Sequence, residues 1–293
     1  MPVSVTVFKA RPPAGRNLTA RARRWQCELG LVRASEGGDA PRVEFQVERV
    51  ESVDSTSERL FERLRAGRAR NGDVVVAAAQ SAGRGRQGRR WHSPPGEGLY
   101  LSVLVVPGEH TPAMDGPVPP PAWTLAGGLA VLDLVRELGV RGARLEWPND
   151  LMVAGAKLAG VLAESRAVPA MAHCVLGIGL DVRQRIFPAE LLAERPVTSL
   201  SLLGVDRDPD DLVEPLLRLL GPRLEAALAG GASLASPFVE ALDLGPGPVR
   251  ALTPDGAFTG ELLEFDLKRG IRLSTARGER RWPLEHLRDL TRM

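Results

Sequence analysis

The chain lacks most of what would announce a metal centre, a disulfide framework or a membrane anchor. Two cysteines, Cys27 and Cys174, are the only ones in 293 residues. They are too few and too far apart for a disulfide scaffold or a structural zinc site, which points to a reducing compartment, the cytoplasm. The four histidines, His92, His110, His173 and His286, show no metal-binding spacing. No apolar run approaches the roughly 18 residues a membrane-spanning helix needs, so no membrane partner is expected. The formal net charge is only +2, and no ladder of aromatic residues accompanies the arginines, so no specific DNA or RNA partner is expected. Lysine is the most telling scarcity. Lys9, Lys157 and Lys268 are the only lysines among 38 basic residues. The codon usage of a GC-rich genome accounts for a general preference for arginine, and it makes each surviving lysine informative.

What is present is 44% hydrophobic and 25% charged residues, enough to bury a sizeable core with a second, smaller unit beside it. Residues 1–42 form a basic, acid-poor N-terminal extension, expected to be irregular. From Val43 to about residue 245 the pattern predicts an α+β main domain. Val43, Phe45, Val47 and Val50 open a strand, and Leu60, Phe61 and Leu64 recur at helical spacing behind Ser55-Thr56-Ser57-Glu58, whose hydroxyls suit a helix cap. Further strands are expected over 73–79, 98–106, 144–147, 157–164 and 174–182, and helices over 123–138 and 212–228. Asn149-Asp150 and Ala154-Gly155 are read as turns, and the six prolines of 107–122 as a loop. Past Gly245-Pro246-Gly247-Pro248, residues 246–293 show short alternating segments punctuated by Asp255-Gly256, Arg269-Gly270 and Arg277-Gly278, the pattern of a small all-β domain.

Two stretches carry chemistry. Gly83-Arg84-Gly85-Arg86-Gln87-Gly88-Arg89-Arg90-Trp91 fits the letter of a dinucleotide fingerprint, but Ser93-Pro94-Pro95-Gly96 follows too soon for the helix that such a turn must open. Four arginines interleaved with three glycines make an anion-gripping loop instead: the glycines let the backbone approach a ligand, and the arginines offer forked, permanently charged donors to phosphate or carboxylate. The second stretch runs from Trp147-Pro148-Asn149-Asp150 to Lys157-Leu158-Ala159-Gly160. Asp150 at the end of one strand and Lys157 at the start of its hairpin partner are placed to face one side, a few ångströms apart. A lysine there is a point charge suited to stabilising negative charge in a displacement at phosphorus, and an acid beside it can orient it or hold a metal.

The strings Asp54-Ser55-Thr56, Gln80 with the following GRGRQGRRW, Ser93-Pro-Pro-Gly-Glu-Gly-Leu-Tyr100, EWPNDL, Lys157-Leu-Ala-Gly160 and Gly177-Ile-Gly-Leu-Asp181-Val together resemble the signature blocks of biotin protein ligases. They occur in that family's order from about residue 45 to 205. The resemblance implies a mixed β-sheet flanked by helices, the biotinyl/lipoyl ligase-like catalytic domain, with a small C-terminal SH3-like β-barrel. It implies formation of biotinyl-5′-AMP from biotin and ATP with Mg²⁺, then transfer of biotin to a lysine of a biotin carboxyl carrier protein or domain such as that of acetyl-CoA carboxylase. Ser55, Thr56, Ser57, Gln80, Arg84, Gly85, Arg86 and Lys157 would contact biotin, and Gly83, Arg86, Arg89, Trp91, Asn149 and Asp181 would contact ATP or the adenylate. Lys157, Arg86 and Asp150 would carry the catalysis. Two positions depart from the family, Ser57 and Asp181, each where asparagine is usual; an acid at 181 would either repel phosphate or help to bind Mg²⁺. The 42-residue start is shorter than the DNA-binding domain of the family's regulatory branch, so no repressor function is expected, and the enzyme is read as a monomer or homodimer. The competing readings are a lipoate or octanoate carrier-protein ligase or transferase of the same fold, and a non-enzymatic biotin-binding regulator.

Overall fold

The computed structural model describes residues 29–33, 43–106, 120–168 and 171–293. The basic extension and the proline-rich loop therefore lie largely outside the described residues. Where they are described, both readings change. Leu29–Arg33 is a strand, β1, antiparallel to β2 (Glu44–Val53), within the segment expected to be irregular. Helix α2 (Pro120–Glu137) starts inside the predicted loop, because proline is tolerated in a helix's first turn, where its missing N–H has no partner to lose.

Eight strands form one sheet in the order β1-β2-β3-β4-β8-β7-β6-β5, with β3 Asp73–Gln80, β4 Gly98–Val105, β5 Ala143–Glu146, β6 Asp150–Val153, β7 Ala156–Val168 and β8 Met171–Asp181. Among the described strands only β2 and β3 pair in parallel, and the helix α1 (Thr56–Arg65) connects them. β6 falls where a turn was expected at Asn149-Asp150; the polar pair hides a four-residue strand that Asp150 begins rather than follows.

The sheet has apolar side chains on both faces, so its central strands read as continuous hydrophobic runs. Val74, Val76, Leu101, Val103, Leu176 and Ile178 point into the main core. There they meet α2 and two helices that follow it and the short α3 (Ala189–Glu194) in the chain, α4 (Val213–Leu228) and α5 (Ala232–Ala241). The alternate residues Val75, Leu104 and Val175 pack against Leu60 and Phe61 of α1 on the opposite face. Ser55 sits at the N-cap of α1 in extended conformation, yet its hydroxyl makes no capping bond. The side chain of Gln80 accepts the Thr56 amide at 2.9 Å instead, so a neighbouring strand performs the task the local sequence offered to a hydroxyl.

The C-terminal segment folds as five antiparallel strands in the order β12-β11-β10-β9-β13: β9 Pro248–Thr253, β10 Gly256–Asp266, β11 Gly270–Thr275, β12 Gly278–Trp282 and β13 Asp289–Arg292. The sheet is barrel-like in its short strands, although β12 and β13 do not pair to close it. Its apolar residues, among them Val249, Ile271, Leu273 and Trp282, are continuous with the main core. Trp147 makes the join. Its ring meets Phe238 and Phe265 edge-on, at 6.2 and 6.4 Å, and its Nε1 donates to the Leu287 carbonyl at 3.0 Å. The loop that leads into Asp150 is thereby clamped between the two sheets.

Candidate active site

A cleft of about 950 Å³ opens on the α1 side of the large sheet. Strand alternation decides what faces it. On β8 the core takes Leu176, Ile178 and Leu180, leaving Gly177, Gly179 and Asp181 to the cleft. On β7 the core takes Ala159 and Val161, leaving Gly160 and Leu162. By that count Lys157 belongs to the core face, but the register shifts: Leu151 pairs with Ala159 while Met152 pairs with Lys157. Leu158 is the extra residue of a β-bulge, and it too enters the core. The bulge flips the alternation and turns Lys157 onto the cleft face beside Gly160.

There Lys157 Nζ lies 2.7 Å from Asp150 Oδ1. Asp150 is buried, and its other oxygen accepts from Arg195 Nη1, whose Nη2 donates to Glu146 Oε1 at 2.7 Å. The main chain of Lys157 is pinned as well: its amide donates to the Pro196 carbonyl at 2.9 Å, and its carbonyl accepts from Thr198 at 2.8 Å.

Trp91 lies across the floor of the cleft, its indole against Gly160 and Gly179, with Lys157 Nζ 5.2 Å from the ring centroid. A Cβ at Gly179 would collide with that ring, and one at Gly160 would stand 3.0 Å from it. The indole Nε1 is buried and has no hydrogen-bond partner, an unmet donor at the centre of the cleft.

The other end is a neutral polar network. Thr56 Oγ1 and Ser57 Oγ lie 2.7 and 2.9 Å from Ser102 Oγ. Thr56 also donates to Gln80 Oε1 at 3.2 Å, and Gln80 Nε2 donates to Ser93 Oγ at 2.9 Å. Ser55, Thr56, Ser57, Ser93 and Ser102 are all buried. Such a network suits a neutral, hydrogen-bonding ring rather than an anion.

The arginine loop is a miniature hairpin. An Arg84–Arg90 bridge closes it, Gly85 donates to the Arg89 carbonyl at 2.8 Å, and Gln87 and Gly88 turn it with φ of 57° and 77°. Arg86 reaches across the cleft to Asn149 Oδ1 at 3.5 Å, and Asn149 is fixed by donating to the Val161 carbonyl at 3.0 Å. Arg89 lines the same cleft. Arg84 lines it too, but its guanidinium is held by Glu58 at 3.2 Å and Glu164 at 3.0 Å. Gly83 does not line the main cleft; it backs onto the Trp91 carbonyl and Ser93, where a side chain would clash. Its part is to let the loop close.

Glu58 also takes both arms of Arg166, at 3.1 and 2.7 Å, and Arg65 at 2.9 Å. Its bond to Arg166, aided by the neighbouring charges, holds its carboxyl down at about 2. A carboxyl depressed in the folded state stabilises the fold above its unfolded value, and that contribution is lost as pH falls through its folded value. Glu58→Gln is therefore expected to cost roughly 1–3 kcal/mol at neutral pH. The deficit should shrink steadily between about pH 4.5 and 2, as followed by urea unfolding across that range. A deficit independent of pH would show that Glu58 acts through packing alone.

Asp181 is buried, and Gln184 Nε2 donates to its Oδ1 at 2.8 Å and to the Tyr100 hydroxyl at 3.2 Å. Burial pushes both the Asp181 carboxyl and the Tyr100 phenol well above their usual ranges, against the pull of Lys157 on Asp181. An acid leaning to its neutral form presents an O–H and a C=O, the donor and acceptor of an amide. Among the described residues no group of three acidic, histidine or cysteine side chains could hold a metal ion. Asp181 thus lines the cleft as a buried acid held by Gln184, without such a group of metal-ligating side chains around it.

Several cleft residues escape the sequence reading. Ser102 left a trace, a small hydroxyl inside the apolar run Leu99–Val106, and Ser93 was noticed only as part of a motif. Arg195 and Arg288 left none, since each sits in an aperiodic segment of an arginine-rich chain.

Residues 50–181 match the family model described as the biotin/lipoate A/B protein ligase family. The chain is 31% identical over 234 residues to the bifunctional ligase/repressor BirA of Bacillus subtilis, covering 77% of this chain and 69% of that protein. It is 40% identical over 184 residues to the biotin–[acetyl-CoA-carboxylase] ligase of Mycobacterium tuberculosis, covering 61% of this chain and 64% of that one. Among solved structures it is similar to the biotin protein ligase from Aquifex aeolicus in complex with biotin and ATP. The TM-score is 0.65 and the identity 28%, over 83% of this chain and 97% of that one. Two further relatives named BirA are longer, and the chain spans 58% and 51% of their length.

Proposed function

Since the chain belongs to the biotin protein ligase family, we propose that it joins biotin to ATP as biotinyl-5′-adenylate and then passes the biotinyl group to a lysine of a carrier protein, such as a biotin carboxyl carrier domain. The observation that carries this reading is the polarity of the cleft. Buried hydroxyls and Gln80 stand at one end, arginines span the middle, and Lys157 stands where the two regions meet, paired with Asp150.

In that cleft the bicyclic ring of biotin lies among Thr56, Ser57, Gln80 and Ser102, whose hydroxyls and amide supply matched donors and acceptors. Its carboxylate points toward Lys157. The carboxylate oxygen forms a bond to the α-phosphorus of ATP, and the bond from that phosphorus to the pyrophosphate oxygen breaks, pyrophosphate leaving with the electron pair. Two anions must meet for this, and the unpaired cost of their repulsion is what Lys157 and Arg86 lower. Trp91 offers an aromatic face and an unmet N–H beside the reacting groups. With Arg86 linked across to Asn149, the loop covers the adenylate and keeps water from it. Asp150 steers the acceptor amine. ATP arrives with its own counter-cation as part of that substrate.

The test is pyrophosphate exchange into ATP. It is expected with biotin and not with lipoate or octanoate. Exchange driven by lipoate or octanoate would favour an acyl carrier-protein ligase of the same fold, and biotin binding without any exchange would favour a regulator.

A further inference from the structure

We propose that Arg195 is a positioning residue for the transfer half of the reaction: it holds Asp150 at the acceptor lysine when Lys157 turns toward the anionic ligand. The inference deepens the ligase reading above and rests on it. Asp150 is shared between two cations, Lys157 on one oxygen and Arg195 on the other. These cations are not equivalent. Lys157 is a compact ammonium on a flexible stem, free to exchange partners when a carboxylate or phosphoryl group arrives. Arg195 is a planar fork gripped at both prongs, by Asp150 and by Glu146, with the Met152 sulfur 3.3 Å from its Nη2.

The backbone supports the same division. Arg195 is the first residue after the short helix Ala189–Glu194, in extended conformation, and it opens the segment whose Pro196 and Thr198 hydrogen-bond the main chain of Lys157. One segment therefore sets both the height of Lys157 on its strand and the direction of the Asp150 carboxylate. When Lys157 leaves Asp150 for the ligand, the oxygen it vacates is aimed into the cleft, and the carboxylate keeps its charge and angle because Arg195 remains. Glu146 completes the arrangement, since its charge holds Arg195 in place.

In transfer, the acceptor ammonium first loses one proton. Its nitrogen then forms a bond to the acyl carbon of the adenylate, the bond from that carbon to the phosphate oxygen breaks, and AMP leaves with the electron pair. The nitrogen sheds a second proton, also to solvent, on becoming the amide. Asp150 attracts the ammonium and orients it, and the first proton leaves to solvent. Adenylate formation involves only anions and makes no such demand on Asp150.

Arg195→Ala is accordingly expected to lose at least about tenfold more in transfer than in biotin-dependent pyrophosphate exchange. The loss should fall in the kcat of transfer from preformed biotinyl-adenylate, with the KM for carrier changed by less than about threefold. Added guanidinium ion should restore part of that kcat, which it would not do for a variant whose fault is a displaced backbone. Equal losses in both halves, or a loss confined to the KM for carrier, would overturn the assignment. Should Arg195→Ala fail to fold, Arg195→Lys carries the test: it keeps one charge but not the fork, so the same uneven loss is expected at smaller size, and an even loss again overturns the proposal. Wild-type protein without biotin-dependent exchange would instead sink the ligase reading itself, so the two failures are distinguishable.

Discussion

Lys157→Ala is expected to lower biotin-dependent pyrophosphate exchange by about two to three orders of magnitude, the usual cost of deleting one charge-stabilising group from a transition state. The thermal midpoint should change little, because Lys157 is partly exposed and its partner Asp150 keeps Arg195. Arginine should not rescue the activity. Its wider fork cannot fit between Trp91, Gly160 and Asp150, where the ammonium stands 3.4 Å from the point a Cβ of residue 160 would occupy. Stopped exchange with unchanged unfolding would place the lysine in the chemistry. Near-normal exchange would leave it as a structural ion pair with Asp150.

The second large effect concerns retention. Arg86 is the loop arginine that reaches the opposite wall, at Asn149. A hydrogen bond from a charged donor is worth roughly 1.5–3 kcal/mol, so Arg86→Gly should let the adenylate leave roughly ten to a hundred times faster. An adenylate set free acylates exposed lysines on any protein nearby. The variant is expected to label added bystander protein while wild type labels only the carrier, and mass spectrometry of the bystander is the readout. Labelling confined to the carrier would show that the loop closes through other contacts.

How much of this was legible in the sequence depends on the range over which each feature is specified. Apart from β6, the sheet strands from Asp73 to Asp181 announced themselves because burial on both faces demands apolar runs. Helix α5 did not, since Ser233, Ser236 and Pro237 break its periodicity and it is held by packing against its neighbours. The pairing of Asp150 with Lys157 could be anticipated from a hairpin, although the strand between them was misread as a turn. The role of Arg84 was less accessible. Nothing local distinguishes it from Arg86, and only the fold brings Glu58 and Glu164 to it. Arg195 was invisible for the same reason: its partners lie 45 and 49 residues away in the chain.

The bulge at Leu158 makes the facing of Lys157 a matter of parity. Leu158 and Ala159 enter the core one after the other, and that repeat is what leaves Lys157 on the cleft side. Without Leu158, Lys157 would directly precede Ala159, still opposite Met152 and still on the cleft side. With Leu158 kept and the ladder straightened, Lys157 would turn toward the helices and Leu158 into the cleft, burying a charge and exposing a leucine. The apolar side chain beside the lysine, and not the lysine alone, thus decides which face of the sheet the ammonium serves.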